Sequence, residues 1–201
     1  MSIDEAKRRL RREMKARRRA LGAVARAAAG DAVAGRVLAL PEFAAARRVA
    51  LYAALPDELP TDRLLRAVLD SGRTLLLPRA RADGRLDFAR VTALGELAPG
   101  RFGVLEPPAN APSVAVGPGD LVLAPGVAFD RRGARLGRGS GAYDRSLPAG
   151  PAAPIWFGIG FAFQLVESVP ESAHDRRVDA VATEIELVRT RAPRDPAADP
   201  G

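Results

Sequence analysis

Apolar residues follow two spacings along this chain, and the spacings take turns. Ile3, Leu10, Met14, Leu21 and Val24 keep roughly one helical face, with Ser2 or Asp4 available as a cap. This predicts a helix running to about Ala29, then a break and a second helical stretch from Gly30 to Leu40, stopped by Pro41. Arg47 to Ala54 is an apolar run that reads as a strand and ends at Leu55-Pro56-Asp57. Glu58 falls in the turn that follows, and Thr61 stands where it can cap a helix from Asp62 to Ser71. Thr74 to Leu77 is a short apolar strand stopped by Pro78-Arg79, and Leu86 to Val91 alternates like a half-buried strand. Asn110 to Pro118 is punctuated connector. Leu121 to Ala124 and Ile155 to Gly160 read as buried strands, and Val178 to Thr183 is the last strand predicted. Strands separated by helical stretches argue for an α/β sheet covered by helices on both faces, with candidate site residues at the strands' C-terminal edges.

Composition narrows this modestly. A chain of 201 residues, 47% hydrophobic, supports one core, so a single domain over residues 1–190 is expected, with a disordered tail from 191 to 201. The absence of cysteine excludes disulfides and thiolate metal sites. The one histidine, His174, excludes a multi-histidine metal site and, without an obvious partner, is assigned no catalysis. No apolar run approaches the ~20 residues that span a bilayer. The start lacks the apolar segment of a secretory signal, and Asp4, Glu5 and Glu13 argue against a transit peptide. A soluble, cytoplasmic monomer is the expectation.

The net charge of +7 is local: residues 1–19 hold nine basic and three acidic residues, leaving the body near neutral. Nucleotide contact, an RNA-binding arm and a merely solvated Arg-rich face would each explain such a helix. Few exposed-looking aromatics and no second basic cluster count against nucleic acid.

The stretch from Arg135 to Gly141, R-L-G-R-G-S-G, has glycine at every second position and runs into Ala142-Tyr143-Asp144-Arg145. Alternating glycines allow positive φ and bring backbone N–H groups close to an anion, and the arginines add planar donors. This is the chemistry of a phosphate cradle. It is no P-loop, which needs Lys-Ser/Thr after its last glycine, and no dinucleotide fingerprint, whose glycines follow the strand directly.

The full string P-G-V-A-F-D-x-x-G-x-R-L-G-R-G-x-G-x-Y-D-R, Pro125 to Arg145, resembles the signature of the 5-formyltetrahydrofolate cyclo-ligase family. Other segments are similar too: Ala6 to Arg11, Glu58-Leu59-Pro60-Thr61, Arg101 to Pro108 as a substrate-facing F-G-x-x-E-P segment, and the element running into Gln164. The resemblance spans about residues 6–188. It implies a three-layer fold like those of sugar-phosphate isomerases and CoA transferases, and ATP- and Mg²⁺-dependent cyclisation of 5-formyltetrahydrofolate. By position it gives ATP to Lys7, Arg8, Arg9, Leu10 and Arg11 and to Arg135, Leu136, Gly137, Arg138, Gly139, Ser140, Gly141, Ala142 and Tyr143. Among these it gives Arg138 and Tyr143 catalytic roles. Folate falls to Ala53 and Glu58, and Mg²⁺ to Asp144 and Asp175. Ser140 stands where the family commonly has Gly or Lys, and Ala142 where it has a second aromatic. An RNA-binding protein, or an ATP-independent enzyme on an isomerase-like fold, are the alternatives.

Overall fold

The buried runs of the sequence become neighbouring strands of one sheet. The structure, a computed structural model, describes residues 2–100 and 103–191. Its helices are α1 (Ile3–Ala20), α2 (Ala23–Leu38), α3 (Pro41–Ala45), α4 (Asp62–Asp70) and α5 (Ala142–Ser146). Its strands are β1 (Arg48–Ala50), β2 (Thr74–Ala80), β3 (Leu86–Val91), β4 (Ala98–Pro99), β5 (Leu105–Glu106), β6 (Asp120–Pro125), β7 (Ala128–Asp130), β8 (Arg135–Leu136), β9 (Ile155–Ile159), β10 (Leu165–Val166), β11 (Ala180–Ala182) and β12 (Leu187–Arg189).

The main sheet has the order β12-β11-β9-β6-β1-β2-β3. Its interior, from β11 to β2, is parallel, and β12 and β3 close the edges antiparallel. A sheet of this kind is buried on both faces, which is why its strands read as unbroken apolar runs. Leu75, Leu77, Leu121, Leu123, Phe157 and Ile159 pack with α2, α3 and α4 on one side. Leu76, Val122, Ala124 and Trp156 face the other, under Phe129, Tyr143 and Leu147 from the β7-to-α5 region. Helices flank the sheet as expected, although on the second face the helix is short and a small sheet, β10-β7-β8, does much of the covering.

Three boundaries differ from the sequence reading for physical reasons. The first helix stops at Ala20, not near Ala29, and the break lies at Leu21-Gly22. Arg26, one turn into α2, donates to the carbonyls of Arg18 and Leu21 and so satisfies the end of α1. Gly30 is no break: it lies inside α2, where a Cβ would meet the Pro60 carbonyl at 3.0 Å. Strand β2 runs through Pro78 because β1 pairs with it only as far as Leu76, so no ladder bond is asked of the proline on that side. The residues from 192 onward, expected to be a disordered tail, lie outside the described residues, as do Arg101 and Phe102.

The hairpin of β7 and β8 is fixed from two ends. The buried Asp130 carboxylate accepts from the backbone of Arg132, Ala134 and Val169, which fixes the turn from Asp130 to Gly133. Phe129 is fully buried against three glycines: a Cβ on Gly126 or Gly158 would lie 2.3 Å from its ring, and one on Gly160 3.0 Å away. Gly158→Ala should therefore overpack this hollow and cost about 1–3 kcal/mol in chemical denaturation. Parental stability in that variant would mean that the ring can yield and is not what seats the hairpin.

Candidate active site

Strand order reverses between β1 and β6: β2 lies beyond β1 on one side, and β9 and β11 beyond β6 on the other. A crevice opens at the C-terminal ends of strands at such a point. Here β1 leads into Tyr52, Ala53 and the turn carrying Glu58, while β6 leads into Pro125-Gly126. A cavity of about 460 Å³ occupies the crevice, and Ala53, Glu58, Arg135, Gly141, Ala142 and Tyr143 are among the residues on its wall. The two halves of the sequence that carried the functional reading, 70 residues and more apart, thus share one space.

The Glu58 turn is tightly determined. Glu58 is 6% exposed, and its carboxylate accepts from Leu55 N at 3.1 Å. Thr61 does begin α4, but its hydroxyl does not cap the helix; it donates to the Tyr52 carbonyl at 2.7 Å and ties the turn to the end of β1. On the opposite wall, Gly139 and Gly141 take φ of 123° and 61°, which only glycine adopts without strain. Gly137 is needed for another reason, since a Cβ there would press on the Arg135 guanidinium at 3.1 Å. Gln164, buried behind the loop, donates to the carbonyls of Gly126 and Val127 and holds the Pro-Gly turn. Arg135 is 7% exposed; it pairs with Asp144 at 2.7 Å and lies 5.5 and 5.1 Å from the ring centres of Tyr143 and Trp156. Burial pushes the Tyr143 phenol well above its ordinary value despite the nearby Arg135, so near neutrality it is a hydrogen-bond donor.

Helix α1 closes the site with side chains. Arg11 Nε donates to the Gly137 carbonyl at 2.9 Å. Lys7 pairs with Asp175, which also accepts from Ser172 N. Burial alone would raise the Asp175 carboxyl, but Lys7 and that backbone donor outweigh it and hold it below its ordinary value. A second cavity, about 480 Å³, runs between α1 and Pro56-Asp57, walled by Arg11, Lys15, Arg18, Arg19 and Arg138. Arg138 is exposed and stands on the wall of both cavities.

The structure does not bring every expected residue to these cavities. Arg8, Arg9 and Gly139 are exposed and line neither, nor does the buried Lys7, and Leu10 and Leu136 pack with Met14 beneath α1. His174 is exposed. Asp144 and Asp175 lie behind Arg135 and Lys7, each already holding a cation, and among the described residues no group of three or more His, Cys, Asp or Glu could hold a metal. Mg²⁺ takes one or two carboxylates and fills its shell with phosphate oxygens and waters. This donor pair therefore fits a Mg²⁺ arriving on nucleotide phosphates, not one caged by protein.

Sequence reasoning missed Arg18 and did not single out Glu106. Arg18 belongs to the stripe 7, 11, 14, 18, a spacing legible in the sequence once the buried face of α1 is known. Glu106, in the F-G-x-x-E-P segment, lines the cavity at the strand-order reversal. Burial raises its carboxyl above the ordinary 4.5, and the Ala80 backbone donor and Arg79 offset this only in part. The fold thus favours the neutral acid and loses stability as pH rises from 4.5 through the raised value. Glu106→Gln, neutral throughout, should melt above the parent at pH 7 and together with it below about pH 4 in thermal scans.

The comparisons with known proteins agree with this geometry. The model of the 5-formyltetrahydrofolate cyclo-ligase family matches residues 3–184. The chain is 29% identical to the mouse 5-formyltetrahydrofolate cyclo-ligase, over 92% of this chain and 96% of that one. It is 32% identical to the Escherichia coli K12 protein of the same name, over 83% and 94%. The NMR structure of Aquifex aeolicus 5,10-methenyltetrahydrofolate synthetase superposes with a TM-score of 0.80 at 33% identity, covering 94% of this chain and 95% of that one. The architecture, the shared cavity at the strand-order reversal and these matches together place the chain in the 5-formyltetrahydrofolate cyclo-ligase family of enzymes.

Proposed function

We propose that this protein converts 5-formyltetrahydrofolate and ATP to 5,10-methenyltetrahydrofolate, ADP and phosphate, acting as a cytoplasmic, Mg²⁺-dependent monomer. The observation that carries the reading is that Ala53 and Glu58 share one cavity with the glycine loop Arg135 to Tyr143. A folate held at Glu58 thereby meets a phosphoryl group held by the loop. Among the described residues no helix is long and apolar enough to cross a membrane.

An N-formyl oxygen is a poor leaving group. Its attack on the γ-phosphorus expels ADP and leaves an O-phosphorylated iminium at N5. The N10 lone pair then adds to the formyl carbon, N10 loses its proton, and phosphate departs with the former formyl oxygen. Such chemistry asks the protein to position reactants and spread charge. Lys7, Arg11 and the loop N–H groups hold the nucleotide, and Arg138, standing on both cavity walls, faces the transferring group. Tyr143 keeps its proton and donates to the oxygen on which charge develops. Arg135, pinned between two rings and Asp144, supplies a fixed positive charge. Asp144 and Asp175 would hold the Mg²⁺ that neutralises the nucleotide phosphates. Ala142, in place of an aromatic, leaves Tyr143 to meet the substrate without a second ring.

Mixing protein, Mg·ATP and 5-formyltetrahydrofolate should produce the absorbance of methenyltetrahydrofolate; its absence would overturn the reading. Asp144→Asn should abolish most Mg²⁺-dependent turnover. It should also cost about 1–3 kcal/mol of stability, because the buried Arg135 loses its counter-charge. Undiminished turnover at low Mg²⁺ would remove Asp144 from the metal. Changing Lys7 and Arg11 together to Ala should raise the KM for ATP by an order of magnitude or more, roughly the loss of two charge-assisted contacts. The exposed triple change of Arg8, Arg9 and Arg12 should raise it far less, although more charge is lost. An RNA arm would reverse that ranking when RNA binding is followed across salt.

A further inference from the structure

The arginines of the α1–α2 corner grip the turn that carries Glu58, one residue after another. Arg26 donates to the Pro56 carbonyl at 2.7 Å, and Arg18 to the Asp57 carboxylate at 2.9 Å. The other end of the Arg18 guanidinium lies 3.9 Å from a Glu58 carboxylate oxygen. Both partners in that last contact are almost wholly buried, Arg18 at 5% and Glu58 at 6% exposure. A buried arginine is expensive unless its charge is answered, and its Nε finds no acceptor. Arg17, its neighbour, sits on the Phe163 ring, and Arg19 is exposed, so position 18 alone of this basic triplet reaches the turn.

Arg18 also lines the basic cavity with Arg11 and Arg138, whereas Glu58 lines the cavity at the strand-order reversal. Its contact with Glu58 thus links a residue of one cavity wall to a residue of the other. We propose that Arg18 is the positioning residue for Glu58: it holds that carboxylate in place at the folate cavity, so that a helix assigned to the nucleotide also sets folate affinity. The inference rests on the reading above, in which Glu58 binds the folate.

The test compares Arg18→Met, Arg18→Lys and Glu58→Gln with the double variant Arg18→Met/Glu58→Gln, measuring both KM values, kcat and thermal melting. Arg18→Met should raise the folate KM about tenfold and leave the ATP KM within about twofold. Arg18→Lys, which keeps the charge, should recover most of the loss. The double variant should be no weaker for folate than Glu58→Gln alone, because Arg18 acts through that carboxylate. Unchanged folate KM in Arg18→Met, with Glu58→Gln impaired, overturns the inference and spares the reading of Glu58. A normal folate KM in Glu58→Gln overturns that reading and the inference with it. A rise in the ATP KM alone makes Arg18 a nucleotide contact, and additive losses in the double variant make it an independent folate contact; either sinks the proposal. If Arg18→Met melts below the assay temperature, the folate-to-ATP split is read from Arg18→Gln, which keeps a hydrogen-bond donor without the charge, and an equal change in both KM values counts against the proposal.

Discussion

The site depends on the seating of one ring. Phe129 fills a hollow made by Gly126, Gly158 and Gly160 at the C-terminal ends of β6 and β9. Directly opposite it across the β7–β8 ladder is Arg135. Opposed residues in an antiparallel pair project to the same side, so docking the ring also delivers the guanidinium to Tyr143 and Trp156. A hydrophobic contact at the strand ends thus sets the place of one of the site's buried charges. The buried Asp130 and Gln164 then fix the two ends of the same hairpin through backbone donors and carbonyls.

The site spends most of its charges on one another. Arg135 answers Asp144, Lys7 answers Asp175, and Arg18 answers Asp57 and Glu58. In a poorly solvated crevice an unpaired charge is costly, so such pairing lets a cluster of opposite charges sit together. It also means that an arriving anion meets donors already oriented, with carboxylates close by to share a cation. Paired charge of this kind suits the proposed magnesium nucleotide, in which both signs arrive at once.

Much of this was legible in the chain. The glycine spacing marked the loop, and unbroken apolar runs marked β6 and β9, because both signals arise from local steric and solvation rules. The turn with Glu58 could be placed at a strand end, but that it faces the loop is a fact of strand order, which no local pattern encodes. The α1–α2 break was misplaced because two glycines competed, and the deciding factor, Arg26 reaching back to the carbonyls of α1, is tertiary. Pro78 stopped a predicted strand that in fact continues, since only the sheet reveals which side of β2 lacks a partner. Arg18 was not set apart from its neighbours; three adjacent arginines look alike until a helix face is chosen.

Helix α1 buries little besides Met14, together with the stems of Lys7 and Arg18. It is docked chiefly by polar bonds to Gly137, Asp57 and Asp175, on three separate parts of the chain. An element held by few apolar contacts opens at a lower free energy than the body it covers. The first helix is therefore a hinged wall, expected to lose amide protection before the sheet does. Access to the basic cavity beneath it is then set by local opening of one helix while the core behind it stays folded.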